Sequence, residues 1–244
     1  MVTDIDVLFP GYSAAADFGA LGWGTVALIK ADHWSALLDA GCHSNRRQLP
    51  VRIQQAGVQP EDIRYIFLTH LHWDHANNID LFPQAELFIS KAEWEFVTHF
   101  SDAAYYPPTI EAIAKRGPTL IDANGETLVE GVSAYLTPGH TAGSTTYLAD
   151  CGGTRCALVG DAAKNWYELQ TGCVKMTRDA QASARSIELI RSLSRHILPG
   201  HDGWVDITDG AVCPRHGNDV ILSFPQGVTM GGNSELRLYM DDPH

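Results

Sequence analysis

The apolar run "IRYIFLT", residues 63–69, has the length of a buried strand, and His70, His72, Asp74 and His75 follow it at once. Imidazoles and carboxylates are poor core fillers, because each buried polar group needs a partner or costs free energy. Three more apolar runs end in the same way. "LTPGHTAGS" delivers His140, "ALVGDAAKN" delivers Asp161 and "HILPGHDGW" delivers His201. Four strand ends thus deliver five His and two Asp, and something should be gathering these side chains. Loops beyond strand termini are where layered α/β sheets place their sites. His70 and His72 are two apart and point the same way in an extended loop. Asp74 and His75 continue into a helix start, which directs them to a second point in space.

The rest of the chain supplies the layers. Residues 24–40 read as two strands around a turn near 31–33. "RRQLPVRIQQAG" reads as a helix ended by Gly57, "AELFIS" as a strand and "KAEWEFVTHF" as a helix. "YYPPTIEAIAKRGP" holds another helix, entered through two prolines, where proline is tolerated. "TLVEGVSAYLTPG" and "TTYLADCGGTRCALVGD" supply strands, with a hairpin turn at 151–154. "TRDAQASARSIELIRSL" is a helix with Thr177 and Asp179 as start signals and Ala182, Leu189, Ile190 and Leu193 on one face. Beyond Trp204 the pattern is Gly-rich and strand-like. No linker or repeat divides the chain, so residues 1–244 are expected to form one domain, with 204–244 as a strand-rich extension.

Composition narrows the class. A chain of 244 residues, 45% hydrophobic and 19% charged, can bury a substantial core. The net charge of −12, with "NRR" as the densest basic run, argues against a nucleic-acid partner. No segment approaches the roughly 18 uninterrupted apolar residues of a membrane span. The N-terminus lacks the apolar core of a signal peptide, and five cysteines (42, 151, 156, 173, 213) show no C-x-x-C spacing. Unpaired thiols in the cytoplasm are the expectation.

H-L-H-W-D-H at 70–75, P-G-H-T at 138–141, G-D-A at 160–162 and P-G-H-D at 199–202 resemble the metallo-β-lactamase superfamily of binuclear metallohydrolases. "LLDAG" also fits that family's Asp-x-Gly loop, at Asp39 and Gly41. The resemblance runs in order over roughly residues 24–204. It implies a four-layer αββα sandwich, α/β in class, with the metal site at the sheet edge. It implies two divalent ions per chain, the first held by His70, His72 and His140, the second by Asp74, His75 and His201, with Asp161 bridging both. Zinc is the expected metal; iron and manganese suit the same nitrogen and oxygen donors. Asp39 then holds a ligand or loop by hydrogen bonds. Two cations sharing a water lower its pKa and create a hydroxide that attacks an electrophilic centre. Asp74 orients that nucleophile and passes its proton to the leaving group.

The stretch "THLHWDHANNIDLFPQAELFISKAEWE" most resembles the acyl-homoserine lactonase branch, which implies a small lactone or ester substrate. That branch places a tyrosine three residues after the bridging aspartate, where this chain has Lys164. A lysine there can stabilise developing negative charge, and Trp166 and Tyr167 are further candidates to reach in. Asp161 itself argues against lactam cleavage, since lactam-cleaving members usually lack it. A glyoxalase II-type thioesterase is one alternative, although the tail offers only Arg215 and Arg237 for a basic patch. A mononuclear-iron oxygenase, with a reduced ligand set, is another. Residues 9–24, Gly/Ala-rich and dotted with aromatics, resemble a family segment that lies over the metals as a lid. Trp73 and Trp204 stand close to the motifs. Histidines 33, 43, 99, 196, 216 and 244 are assigned no metal role. The last forty residues are open between covering the site and forming a homodimer contact.

Overall fold

The computed structural model describes residues 1–17, 19–100, 102–215 and 220–238. Its main sheet bends into two facing halves. Val2–Phe9, Val26–Ala31, Ser35–Leu38, Ile63–Phe67, Glu86–Ser90 and Thr119–Ile121 lie side by side in the first half. Asn124–Val129, Val132–Leu136, Thr145–Cys151, Thr154–Gly160, His196–Pro199, Val205–Thr208 and Ala211–Pro214 form the second. One parallel pairing, Val2 with Cys151, joins them.

Alternation along the strands builds the layers. Ala27, Ile29, Ala36, Leu38, Phe67 and Phe88 from the first half meet Ala134, Tyr147, Leu158 and Leu198 from the second in a central core. Phe67 packs against Tyr147 and Phe88 with ring centroids 5.2 and 5.3 Å apart. Their neighbours point outward. Val26, Leu28, Leu37 and Ile66 pack on helices Leu49–Gln55 and Pro107–Arg116 through Leu49, Ile53 and Ile113. Leu148, Ala157, Val159 and Ile197 pack on helices Trp166–Thr171 and Ala180–Leu193 through Leu169, Ile187 and Ile190. Period-two alternation buries both faces of each half, so helices must cover the outer ones. The result is the expected αββα sandwich.

The local signals behave as read, with one correction. Gly57, at φ +87°, follows the first helix, and Pro107 opens the helix that Gly117 closes at φ +69°. Asp179 caps Ala180–Leu193 by accepting the Ala182 N–H. The face of that helix is rotated from the expected one. Ala182, Ser183, Ser186, Ile187 and Ile190 are buried, whereas Leu189 is exposed. At about 100° per residue, Leu189 falls at the edge of the buried stripe rather than on it.

Two segments stand apart from the main sheet. Tyr12–Ala16 and Gly19–Trp23 make a hairpin in which Tyr12 faces Trp23. Val220–Ser223 pairs with Glu235–Leu238 as a second ribbon, whereas Val205–Thr208 and Ala211–Pro214 extend the second half-sheet. Among the described residues no helix is long and apolar enough to cross a membrane.

Candidate metal centre

Each ligand-type side chain stands just past a strand. Ile63–Phe67 leads into His70 and His72, and a one-turn helix, Trp73–Ala76, carries Asp74 and His75. Val132–Leu136 leads to His140, Thr154–Gly160 to Asp161, and His196–Pro199 to His201. These seven side chains converge. His70, His72 and His140 offer donor atoms within 4.8 Å of one another, as do Asp74, His75 and His201. His70, His75 and Asp161 form a third such group, which joins the two.

Asp161 lies between the groups. Its Oδ2 is 3.3 Å from His140 Nε2, while its Oδ1 is 3.2 Å from His75 Nε2 and 3.3 Å from His201 Nε2. His72 Nδ1 is 3.1 Å from His140 Nε2, and Asp74 Oδ2 is 3.4 Å from His201 Nε2. Donor atoms about 2.0–2.1 Å from one tetrahedral zinc ion stand about 3.3 Å from each other. The observed spacings are of that size. His70 Nε2, His75 Nε2 and Asp161 Oδ1 are buried without a hydrogen-bond partner. Such groups cost about 1–3 kcal/mol each when left unmet, and three at one point match the demands of a shared cation. The donor set therefore fits divalent metal.

The far ring nitrogens are tied down. His75 Nδ1 donates to Asp39 Oδ2 at 2.7 Å, because a carboxylate can only accept. Asp39 also accepts the Thr69 N–H and hydroxyl, both at 2.8 Å, and itself sits at φ +55°. His70 Nδ1 meets the Thr69 hydroxyl at 3.1 Å. His140 Nδ1 donates to the Met176 carbonyl at 3.0 Å, and His201 Nδ1 to the Tyr12 carbonyl at 3.2 Å. Each bond leaves the other nitrogen pointing inward as an acceptor. Backbone closeness helps too. A Cβ on Gly24 would lie 2.6 Å from the His75 ring, and one on Gly200 would strike Asp161 Oδ1.

Electrostatics divides the cluster. Burial pushes His70, His72 and His140 down, with neighbouring imidazoles adding to the effect, and His72 falls to about 3. Burial alone would lower His75 and His201 as well. Asp74 and Asp161 overcome it at both, joined by Asp39 at His75, so both are raised. Asp161 is held well below the usual carboxylate range because His201, His140 and His75 outweigh its burial.

A cleft of about 740 Å³ opens onto these groups. His72, Asp74, His140, Asp161 and His201 line it, with Ser13, Ala14, Ala15 and Ala20 of the hairpin on one wall. Trp73, Ala104 and Met176 line the other, and an Arg178–Asp102 ion pair of 3.1 Å stands at the rim. Lys164 also lines the cleft. It is buried, its Nζ has no hydrogen-bond partner, and Glu168 Oε1 is 3.4 Å away. Neither Trp166 nor Tyr167 is among the lining residues. Trp166 packs against the outer core of the second half-sheet and Tyr167 is exposed. Trp204 packs into the central core. His216 and His244 lie outside the described residues. Nothing in the sequence marks the carbonyls of Tyr12 and Met176, and Glu93 passes for a helix-capping residue.

A family model described as the metallo-beta-lactamase superfamily matches residues 24–208. Metallo-beta-lactamase domain-containing protein 1 of Mus musculus is 28% identical over 193 residues, which is 78% of this chain and 66% of that protein, just short of two thirds of its length. An N-acyl homoserine lactonase of a Bacillus species is 32% identical over 98 residues, 40% of this chain and 37% of the relative. In fold, the chain is similar to AidC, a dizinc quorum-quenching lactonase solved with a product, N-hexanoyl-L-homoserine. The TM-score is 0.66 and the identity 21%, over 82% of each chain.

Proposed function

The chain belongs to the metallo-beta-lactamase superfamily, a family of metal-dependent hydrolases with lactonases among its relatives here, and from that premise we propose that it opens lactones or cleaves small esters. The reading rests most on Asp161, whose two oxygens face the His140 side and the His75–His201 side separately. His70, His72 and His140 would hold one divalent ion, Asp74, His75 and His201 a second, and Asp161 both. Zinc is the metal proposed, since a relative of the same fold is a dizinc enzyme. When bound, such a pair supplies a hydroxide nucleophile near neutral pH and polarises the substrate's acyl oxygen.

The chain's own residues do the rest. Asp74 borders both the cleft and His201, so it can take the nucleophile's proton and return it to the leaving oxygen. Lys164 Nζ is a buried donor without a hydrogen bond, and we assign it the developing negative charge on the acyl oxygen. The alanine-rich hairpin wall favours an apolar acyl group. A glyoxalase II-type reading is less supported, because Arg215 is bound to Asp206 at 2.7 Å and does not line the cleft.

The test is a panel of lactones, aryl esters, thioesters and phosphodiesters assayed with the metal-loaded chain and with Asp74→Asn. Turnover should be greatest on lactones or esters and fall about 10²–10⁴-fold in the variant. Preference for thioesters or phosphodiesters, or full activity in Asp74→Asn, would overturn the assignment.

A further inference from the structure

Glu93 is buried in the first turn of helix Lys91–His99, outside the ring of seven side chains. Ser90 caps that helix by accepting the Glu93 N–H at 3.2 Å, the first half of a capping box. The carboxylate does not complete the box. Its Oε1 accepts the Leu71 N–H at 3.0 Å and the Tyr105 hydroxyl at 3.2 Å. Its Oε2 accepts the Thr141 hydroxyl at 2.7 Å and the Gly143 N–H at 3.1 Å. Leu71 lies between His70 and His72, and Thr141 follows His140. Tyr105 in turn sets its ring edge-on to His72, with centroids 4.9 Å apart. A Cβ on Gly143 would collide with the Glu93 backbone, so the loop after His140 presses directly on this helix.

One buried carboxylate thus ties together the two loops that carry His70, His72 and His140. Among the described residues no Glu93 hydrogen bond reaches Asp74, His75 or His201; His75 leans instead on Asp39 and His201 on the carbonyl of Tyr12. Burying a carboxylate is costly unless donors meet its oxygens, and here four do. Its donors come from three separate segments, so the bonds fix those segments relative to one another. We infer that Glu93 is a positioning residue for one ion of the pair, assembling the three-imidazole site while leaving the other site intact. The inference rests on the two-metal reading above and touches neither substrate nor reacting atoms.

The experiment titrates the metal-free chain with zinc alone and counts tightly held equivalents in wild type, Glu93→Gln, His72→Ala and His201→Ala. Amide hydrogen exchange is followed in parallel. Wild type should hold two ions. Glu93→Gln should hold one as before and bind the other about 10–100-fold more weakly, the usual cost of removing a group that orients ligands. The Leu71 and Gly143 amides should exchange faster, while those of Leu28 and Ile66 do not change. Combining Glu93→Gln with His201→Ala should weaken both sites, whereas combining it with His72→Ala should add little, since both changes strike the same ion. Two ions held with unchanged affinity would overturn the inference and leave the two-metal reading standing. So would equal weakening of both sites. A wild-type chain that takes up no zinc would instead sink the two-metal reading, and this inference with it. If Glu93→Gln does not fold, Thr141→Val, which deletes one donor and keeps the carboxylate, should weaken the same single ion; unchanged binding there would also overturn the claim.

Discussion

His70, His72 and His140 stand on one side of Asp161, and Asp74, His75 and His201 on the other, and the two sides are organised differently. On the first, three imidazoles are pushed towards neutrality by burial, with neighbouring imidazoles and, at His140, Lys164 adding to it. Their carboxylate, Glu93, stands back and grips backbone and hydroxyl groups of the loops. On the second, a carboxylate holds a ring by its far nitrogen, Asp39 at 2.7 Å from His75 Nδ1, and Asp74 Oδ2 lies 3.4 Å from the inward Nε2 of His201. The contrast teaches that holding rings by their far nitrogens, as at His70, His75, His140 and His201, can be supplemented on one side by fixing the main chain that carries them.

The most damaging change to both sides at once should be Asp161→Ala, which removes the group they share. Metal analysis should then find at most one weakly held ion, and turnover should fall by about 10³-fold or more. Two tightly bound ions in that variant would abolish the symmetry axis of the comparison. Next in size is Asp39→Asn. An amide keeps one acceptor oxygen, and with that oxygen on the Thr69 N–H its NH2 meets the His75 Nδ1–H donor against donor, whereas His70 feels Asp39 only through Thr69. Zinc affinity at the Asp74 side should drop about 10–100-fold, with a smaller change at the His72 side. A reversed order would break the division.

Chelation should give a smaller but global effect. Ligand that binds only the folded chain stabilises it by about 2.7 kcal/mol at 100 times its dissociation constant, so stripping both ions should lower the unfolding midpoint by several degrees in a thermal melt. Stripping one should give roughly half of that, and an unshifted midpoint would mean the seven side chains hold their places unaided. Smallest of the four, Lys164→Met should cut turnover about 10-fold without changing the zinc count. A lost ion in that variant would move Lys164 from the chemistry to the scaffold.

Much of this is legible in the sequence, and the reason is chemical. Histidines and aspartates at strand ends are poor packing residues, so their repetition at residues 70–75, 140, 161 and 201 points to a common task. The strands showed as apolar runs, as in Val26 to Ile29, and the structure shares those side chains alternately between the outer and the central core. What escaped has no side-chain signature. The carbonyls of Tyr12 and Met176 belong to every residue type alike, and Glu93 sits where S-x-x-E announces nothing beyond a helix start. Leu189 failed for a geometric reason: apolar identity suited the helix face, but the sheet meets that helix along Ile187 and Ile190 instead. Trp166 and Tyr167 are aromatic and close in sequence to Asp161, yet the turn after Asn165 directs both away from the cleft and leaves Lys164 inside.

The hairpin that walls the cleft also lends its Tyr12 carbonyl to His201. Under the proposed function, recognition of an acyl group and retention of an ion would share one stretch of main chain. Residues near its tip, such as Ala15, Ala16 and Ala20, are open to variation that reshapes the cavity alone. An insertion beside Tyr12 would disturb both properties together, so a change of acyl preference would be met more safely at the far end of the loop.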